Sequence, residues 1–205
     1  DQAVDVLREL DVDLWLTFVR ETTQLSDPCL SLVLGLDLTW SSALMISRTG
    51  ARVAIVGRFD VENVEQVDGY STVIGYDQSI SEPLRDQLSR LAPRQIAINT
   101  SLSDPAADGL TYGMFRRLQS ILEGTDFAAR LTSAEKVIAA VRGRKSLREI
   151  GQIRSAVEAT DAIFRRVGRS IQPGLTEREV AQLFRELAFD SGMGLAWGAD
   201  HCPTV

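Results

Sequence analysis

Trp40-Ser-Ser-Ala-Leu-Met-Ile-Ser47 and Ala51-Arg-Val-Ala-Ile-Val-Gly-Arg58 are two β-rich runs joined at Thr49-Gly50. Apolar runs of this length, separated by a short turn with a glycine, read as a hairpin. Its two strands must be antiparallel, so any sheet that contains them is mixed rather than purely parallel. Working outward, Ala3, Val6, Leu7 and Leu10 recur at helical spacing, and Asp13 to Val19 follows as a strand. Pro28 to Leu34 reads as a short helix, with Asp27 as its cap and Pro28 at its first position. Beyond the hairpin come a short helix at Val61–Val67, a strand at Ser71–Tyr76 and a helix at Ser81–Leu91 with Pro83 in its first turn. Gln95–Asn99 is a further apolar strand, and a helix runs from about Leu110 to Leu122. Such alternation predicts an α/β fold, a mixed sheet with helices on its faces.

The texture changes at Ser133. Ser133 and Glu135 suit the start of a helix running to about Val141, and the break Arg142-Gly-Arg-Lys145 follows. Ser146 with Glu149 three residues on forms a capping box, and Ile150, Ile153, Val157, Ile163, Phe164 and Val167 continue as an apolar stripe. Gln172-Pro173-Gly174 ends that helix, since proline cannot continue the ladder and glycine suits the turn. Thr176 with Glu179 is a second capping box, and Val180, Leu183, Phe184 and Leu187 line one face of the next helix. Leu195-Ala-Trp197 and His201–Val205 read as short strands, with Trp197 in the core and His201 at the surface. Charge shifts at the same place. Residues 1–132 carry 11 Arg against 19 Asp and Glu, a net of −8, whereas 133–205 carry 11 Lys and Arg against 9 acids, a net of +2. Two domains are therefore expected, 1–132 and 133–205.

At 44% apolar and 24% charged residues the chain has the composition of a folded protein rather than a disordered tail. No apolar run approaches the roughly 18 residues that span a bilayer. Asp1 to Glu9 is acidic without an apolar stretch, so it does not read as a signal peptide, and a cytoplasmic location is expected. Cys29 and Cys202 are read as free, mostly buried thiols. A formal charge of −6 argues against nucleic acid as a partner. No GxSxG, Walker or GxGxxG motif is present.

Two stretches carry a resemblance. Arg142-Gly-Arg-Lys145-Ser-Leu-Arg-Glu149-Ile150-Gly-Gln-Ile153-Arg154-Ser-Ala156, and then Ile171-Gln-Pro173-Gly174-Leu-Thr176-Glu177-Arg-Glu179-Val180, resemble the opening of the pita-bread catalytic domain in the creatinase, prolidase and aminopeptidase P family. Residues 1–132 resemble that family's N-terminal domain in size and element order. The fold implied is a creatinase-like N-terminal domain followed by a truncated α+β pita-bread segment. The quoted residues read as scaffold: Ser146 and Thr176 cap helices, and Pro173-Gly174 turns the chain.

The function implied is that of an Xaa-Pro peptidase-like metallohydrolase with a homodimeric assembly, acting on proline-containing peptides. In that family two divalent metals (Mn, Co or Zn) are bridged by two aspartates, a histidine and two glutamates, so that a shared water is acidified for attack on the carbonyl. Residues 195–205 offer only Asp200 and His201. No catalytic, cofactor-binding or metal-ligating residue is therefore assigned in this chain, and His201 inherits no family role. The metal site is expected beyond Val205. A creatinase-like amidinohydrolase, a non-catalytic homologue that binds peptides or proteins, and a small-molecule-binding α/β module are the alternatives.

Overall fold

The computed structural model describes residues 1–205, which divide into two compact units, Asp1–Arg144 and Lys145–Val205. In the first unit α1 (Gln2–Glu9) leads into β1 (Leu14–Val19), followed by α2 (Leu30–Val33). The hairpin is β2 (Ser42–Ser47) and β3 (Arg52–Gly57), with Gly50 at φ 98° in its turn, a left-handed conformation that favours glycine. Next come α3 (Val61–Glu65), β4 (Thr72–Tyr76), α4 (Ser81–Leu91), β5 (Ile96–Ile98), α5 (Tyr112–Leu122), β6 (Leu131–Ser133) and α6 (Glu135–Gly143). The six strands form one mixed sheet in the order β4-β3-β2-β1-β5-β6. Only β2 runs against the rest: β1 pairs antiparallel with β2, β2 with β3, and every other pairing is parallel.

Period-two alternation sends β1 into two cores. Leu14, Leu16 and Phe18 face Leu84 and Leu88 of α4 and Leu118 and Leu122 of α5. Trp15 faces the opposite side, where Val6 and Leu7 of α1 meet Val137 and Ile138 of α6. Val19 joins Leu44, Val56, Leu30 and Val64 in a third cluster, over α2 and α3. With both faces covered, β1 and β2 are buried along their whole length, as continuous apolar strands should be.

The boundary lies later than the sequence suggests. A break at 132/133 would cut β6, a three-residue strand too short to leave a pattern, which pairs parallel with β5 from Leu131↔Ile96 to Ser133↔Ile98. It would also detach α6, whose Val137 and Ile138 are fully buried against α1. Arg144 then closes this unit through a two-pronged ion pair with Glu9, its Nη1 donating at 2.8 Å.

The second unit is two helices and an irregular tail. Ser146 and Thr176 form the two capping boxes expected, each accepting from the backbone N–H three residues on, over α7 (Leu147–Ser170) and α8 (Glu177–Asp190). Gly174, at φ 104°, makes the turn between them. Ile163, Val167, Val180 and Ala188 are the buried centre, and Phe164 meets Phe184 edge-on at 4.8 Å. The strands expected at 195–197 and 201–205 do not form. A strand needs a neighbour to pair with, and this unit has none. The tail bends back instead, with Trp197 Nε1 donating to the His201 carbonyl and Arg185 to that of Ala199. Trp197, expected in the core, is 62% exposed for the same reason.

Candidate functional site

Because five of the six strands run the same way, their carboxyl ends meet on one rim of the first unit, the edge where open α/β sheets bind ligands. The opposite rim is tied up in ion pairs. Arg48, at the hairpin turn, reaches Asp11 and Asp13, and Arg94 meets Asp13 at 3.1 Å. Hydrogen bonding from the Arg94 side chain is the largest influence on Asp13 and holds its carboxyl down at about 2. The carboxyl rim is open, and the loops leaving β1, β3 and β5 expose Leu25, Phe59 and Leu102 there.

Buried side chains fix those loops. Asp27, only 2% exposed, accepts from the Cys29 backbone N–H at 2.7 Å and from Asn99 Nδ2 at 2.8 Å. Asn99 Oδ1 in turn accepts from Trp15 Nε1 at 2.7 Å, which links the loops after β1 and β5 to the core. Burial pushes the Asp27 carboxyl above its ordinary value, with the bonds from Asn99 and Cys29 acting the other way. Gly109 is required here: a Cβ on it would lie 2.1 Å from the Asp27 carboxylate. Burial, reinforced by the Asp27 charge, pushes the Cys29 thiol up to about 12, so it is no thiolate nucleophile. Further along the rim, Ser101 Oγ accepts from the backbone N–H groups of Ser103 and Asp104 and donates to Glu135.

Three hollows open between these loops. One of about 400 Å³ lies among Arg20, Glu21, Trp40, Tyr76 and Arg117. A second, of about 340 Å³, is bounded by Phe18, Gly109 and Met114, and a third, of about 880 Å³, by Ser101, Leu102, Tyr112 and Glu135. The second unit holds a separate apolar groove of about 730 Å³ between Ile163, Phe164, Phe184, Leu195 and Trp197.

No side-chain grouping of three or more His, Cys, Asp or Glu could hold a metal ion. His201 is exposed, as the sequence suggests, and Asp200 is exposed beside it. The residues present therefore do not fit a two-metal centre. Nothing local in the sequence marks the rim. Asp27 was legible only as the cap of a short helix, which in fact starts at Leu30, and its bond to Asn99 spans 72 residues. No local pattern announces such a contact.

Comparison with solved structures decides the fold. The chain superimposes over 95% of its length on the Xaa-Pro dipeptidase from Bacillus anthracis, with a TM-score of 0.61 at 19% identity, and covers 49% of that protein. The X-Pro aminopeptidase from Thermotoga maritima gives a TM-score of 0.61 at 18% identity, over 94% of this chain and 50% of its own. Dipeptidase PepE from Mycobacterium ulcerans gives 0.60 at 16% identity, over 95% and 48%. The fold is the creatinase-like N-terminal one. The chain spans about half the length of the proteins it matches. No protein-family model matches the sequence, and no curated protein matches it significantly.

Proposed function

We propose that this chain is the N-terminal part of an Xaa-Pro peptidase-like metallohydrolase that cleaves peptide bonds at proline, with a two-metal centre supplied by sequence following Val205. The observation that carries this reading is the match along 95% of the chain to about half of an Xaa-Pro dipeptidase. The second unit supports it. Ile153 and Val157 are 48% and 61% exposed along one helix, an apolar stripe that continues past the contact Phe164 makes with Phe184. In this reading the first unit is the creatinase-like domain, and the second opens the pita-bread domain. The metals are Mn, Co or Zn, and the assembly is a cytoplasmic homodimer, for which the two free cysteines are the expected redox state.

Reading the coding sequence past Val205 tests the proposal. An aspartate pair, then a histidine and two glutamates, is expected, and the complete product should hydrolyse Xaa-Pro dipeptides only with a divalent metal. Residues 1–205 alone should not. A continuation without those ligands would overturn the peptidase and favour a peptide-binding homologue. Metal-dependent turnover by 1–205 would overturn the placement of the site.

A further inference from the structure

We propose that the cleft between the carboxyl ends of β1 and β4 is a binding site for a small zwitterion, an amino acid or short peptide with a free ammonium and a free carboxylate. The site lies wholly in the first unit and is argued from its own lining residues, not from the peptidase reading, whose dipeptide substrate is also a zwitterion. Its volume of about 400 Å³ is that of a small-ligand site.

The aromatic wall of the cleft is fixed. Trp40 packs against Tyr76 with ring centroids 5.7 Å apart and against Phe59 edge-on at the same distance. Gly57 allows that position, since a Cβ there would come within 2.8 Å of the Trp40 ring. Tyr76 is itself held by its hydroxyl, which donates to the Ser41 carbonyl at 2.8 Å. A planar or aliphatic ligand body can therefore lie on a preformed surface.

The charges around that wall are unbalanced locally. Asp77 is already taken by Arg58, at 2.9 Å. Arg20 and Arg117, in contrast, line the cleft without a carboxylate within ion-pair distance, and Glu21 lines it without a cation. Glu21 is also one of three non-glycine residues with a left-handed backbone, at φ 44°. Its N–H donates to the Thr39 carbonyl at 2.9 Å, and its own carbonyl accepts from Gln24 and Leu25, so its position is set by the loop. Two unpaired guanidinium groups suit a carboxylate, and one unpaired carboxylate suits an ammonium. A simple anion would meet Glu21 and a simple cation would meet both arginines. Only a ligand carrying both charges satisfies all three.

Calorimetric titration of the 205-residue chain tests this, with alanine, Ala-Ala, N-acetyl-Ala-Ala, Ala-Ala amide and inorganic phosphate as probes. Saturable binding of alanine or Ala-Ala is expected, with both blocked peptides and phosphate weaker by about tenfold or more. Which zwitterion binds better tells amino acid from peptide. Arg20→Met and Glu21→Gln, both at exposed positions, should each weaken binding by about tenfold, with the far-UV circular dichroism unchanged. The Glu21→Gln protein should also gain on N-acetyl-Ala-Ala relative to Ala-Ala. Absence of saturable binding by either zwitterion would overturn the proposal. So would equal binding of phosphate or the acetylated peptide, which would make the cleft a plain oxyanion site. If a variant fails to fold, the blocked-peptide comparison on the unmodified chain decides alone.

Discussion

The two units solve the burial problem differently. In Asp1–Arg144 a single sheet is covered on both faces, and its strands β1 and β2 have no exposed residue. In Lys145–Val205 the helices are well capped, yet of α7's 24 residues only Ile163 and Val167 are buried. Good local signals make a helix; they do not supply something for it to cover. The first unit thus buries its strands on both faces, whereas the second leaves Ile150, Ile153 and Val157 of α7 exposed.

The largest expected contrast is in core truncation. Leu16→Ala, at a fully buried position facing α4 and α5, should lower unfolding stability by about 2–5 kcal/mol. Ile153→Ala, the same kind of change in α7, should cost under about 0.5 kcal/mol beyond helix propensity. Denaturant unfolding of both variants checks this, and equal losses would erase the distinction between the units. Next, Gly109→Ala should cost about 1–3 kcal/mol, because Asp27 is buried and hydrogen-bonded and cannot give way to the added methyl. Alanine at Gly151, which has open space around its Cβ, should be neutral or stabilising.

A smaller effect is pH-dependent. Asp13 has a folded-state value of about 2, depressed from 3.8 by Arg94 and Arg48, so its contribution is present above pH 3.8 and is lost as pH falls through about 2. Asp13→Asn should cost about 1–2 kcal/mol at pH 7, and the difference from the parent chain should shrink steadily in thermal melts as pH falls from about 4 towards 2. Smallest is the loss of a cap: Ser146→Ala should cost about 1 kcal/mol of helix stability, felt in α7 and not in the sheet.

Legibility followed the range of the interactions. The hairpin, both capping boxes and α4 were readable because each is set by residues within a few positions of one another. β6 was not, since three residues carry no periodicity and Leu131–Ser133 is a strand only because β5 lies beside it. The tail misled for the converse reason: Leu195, Trp197 and Val205 are strand-forming residues without a strand to join. On the rim, Arg20 and Arg117 are 97 positions apart and line one cleft only because β1 and α5 lie together. Trp40 and Tyr76 belong to that cleft through the sheet order, which a single sequence does not encode locally.

Hydrogen exchange of the intact 205-residue chain, read peptide by peptide at concentrations where light scattering shows a monomer, compares the two units most directly. Peptides covering β1, β2 and β3 should be protected to the level of global unfolding, and those from the first half of α7 should exchange at least about tenfold faster. Equal protection of α7 and the central strands in that monomer would contradict the contrast in burial between the two units.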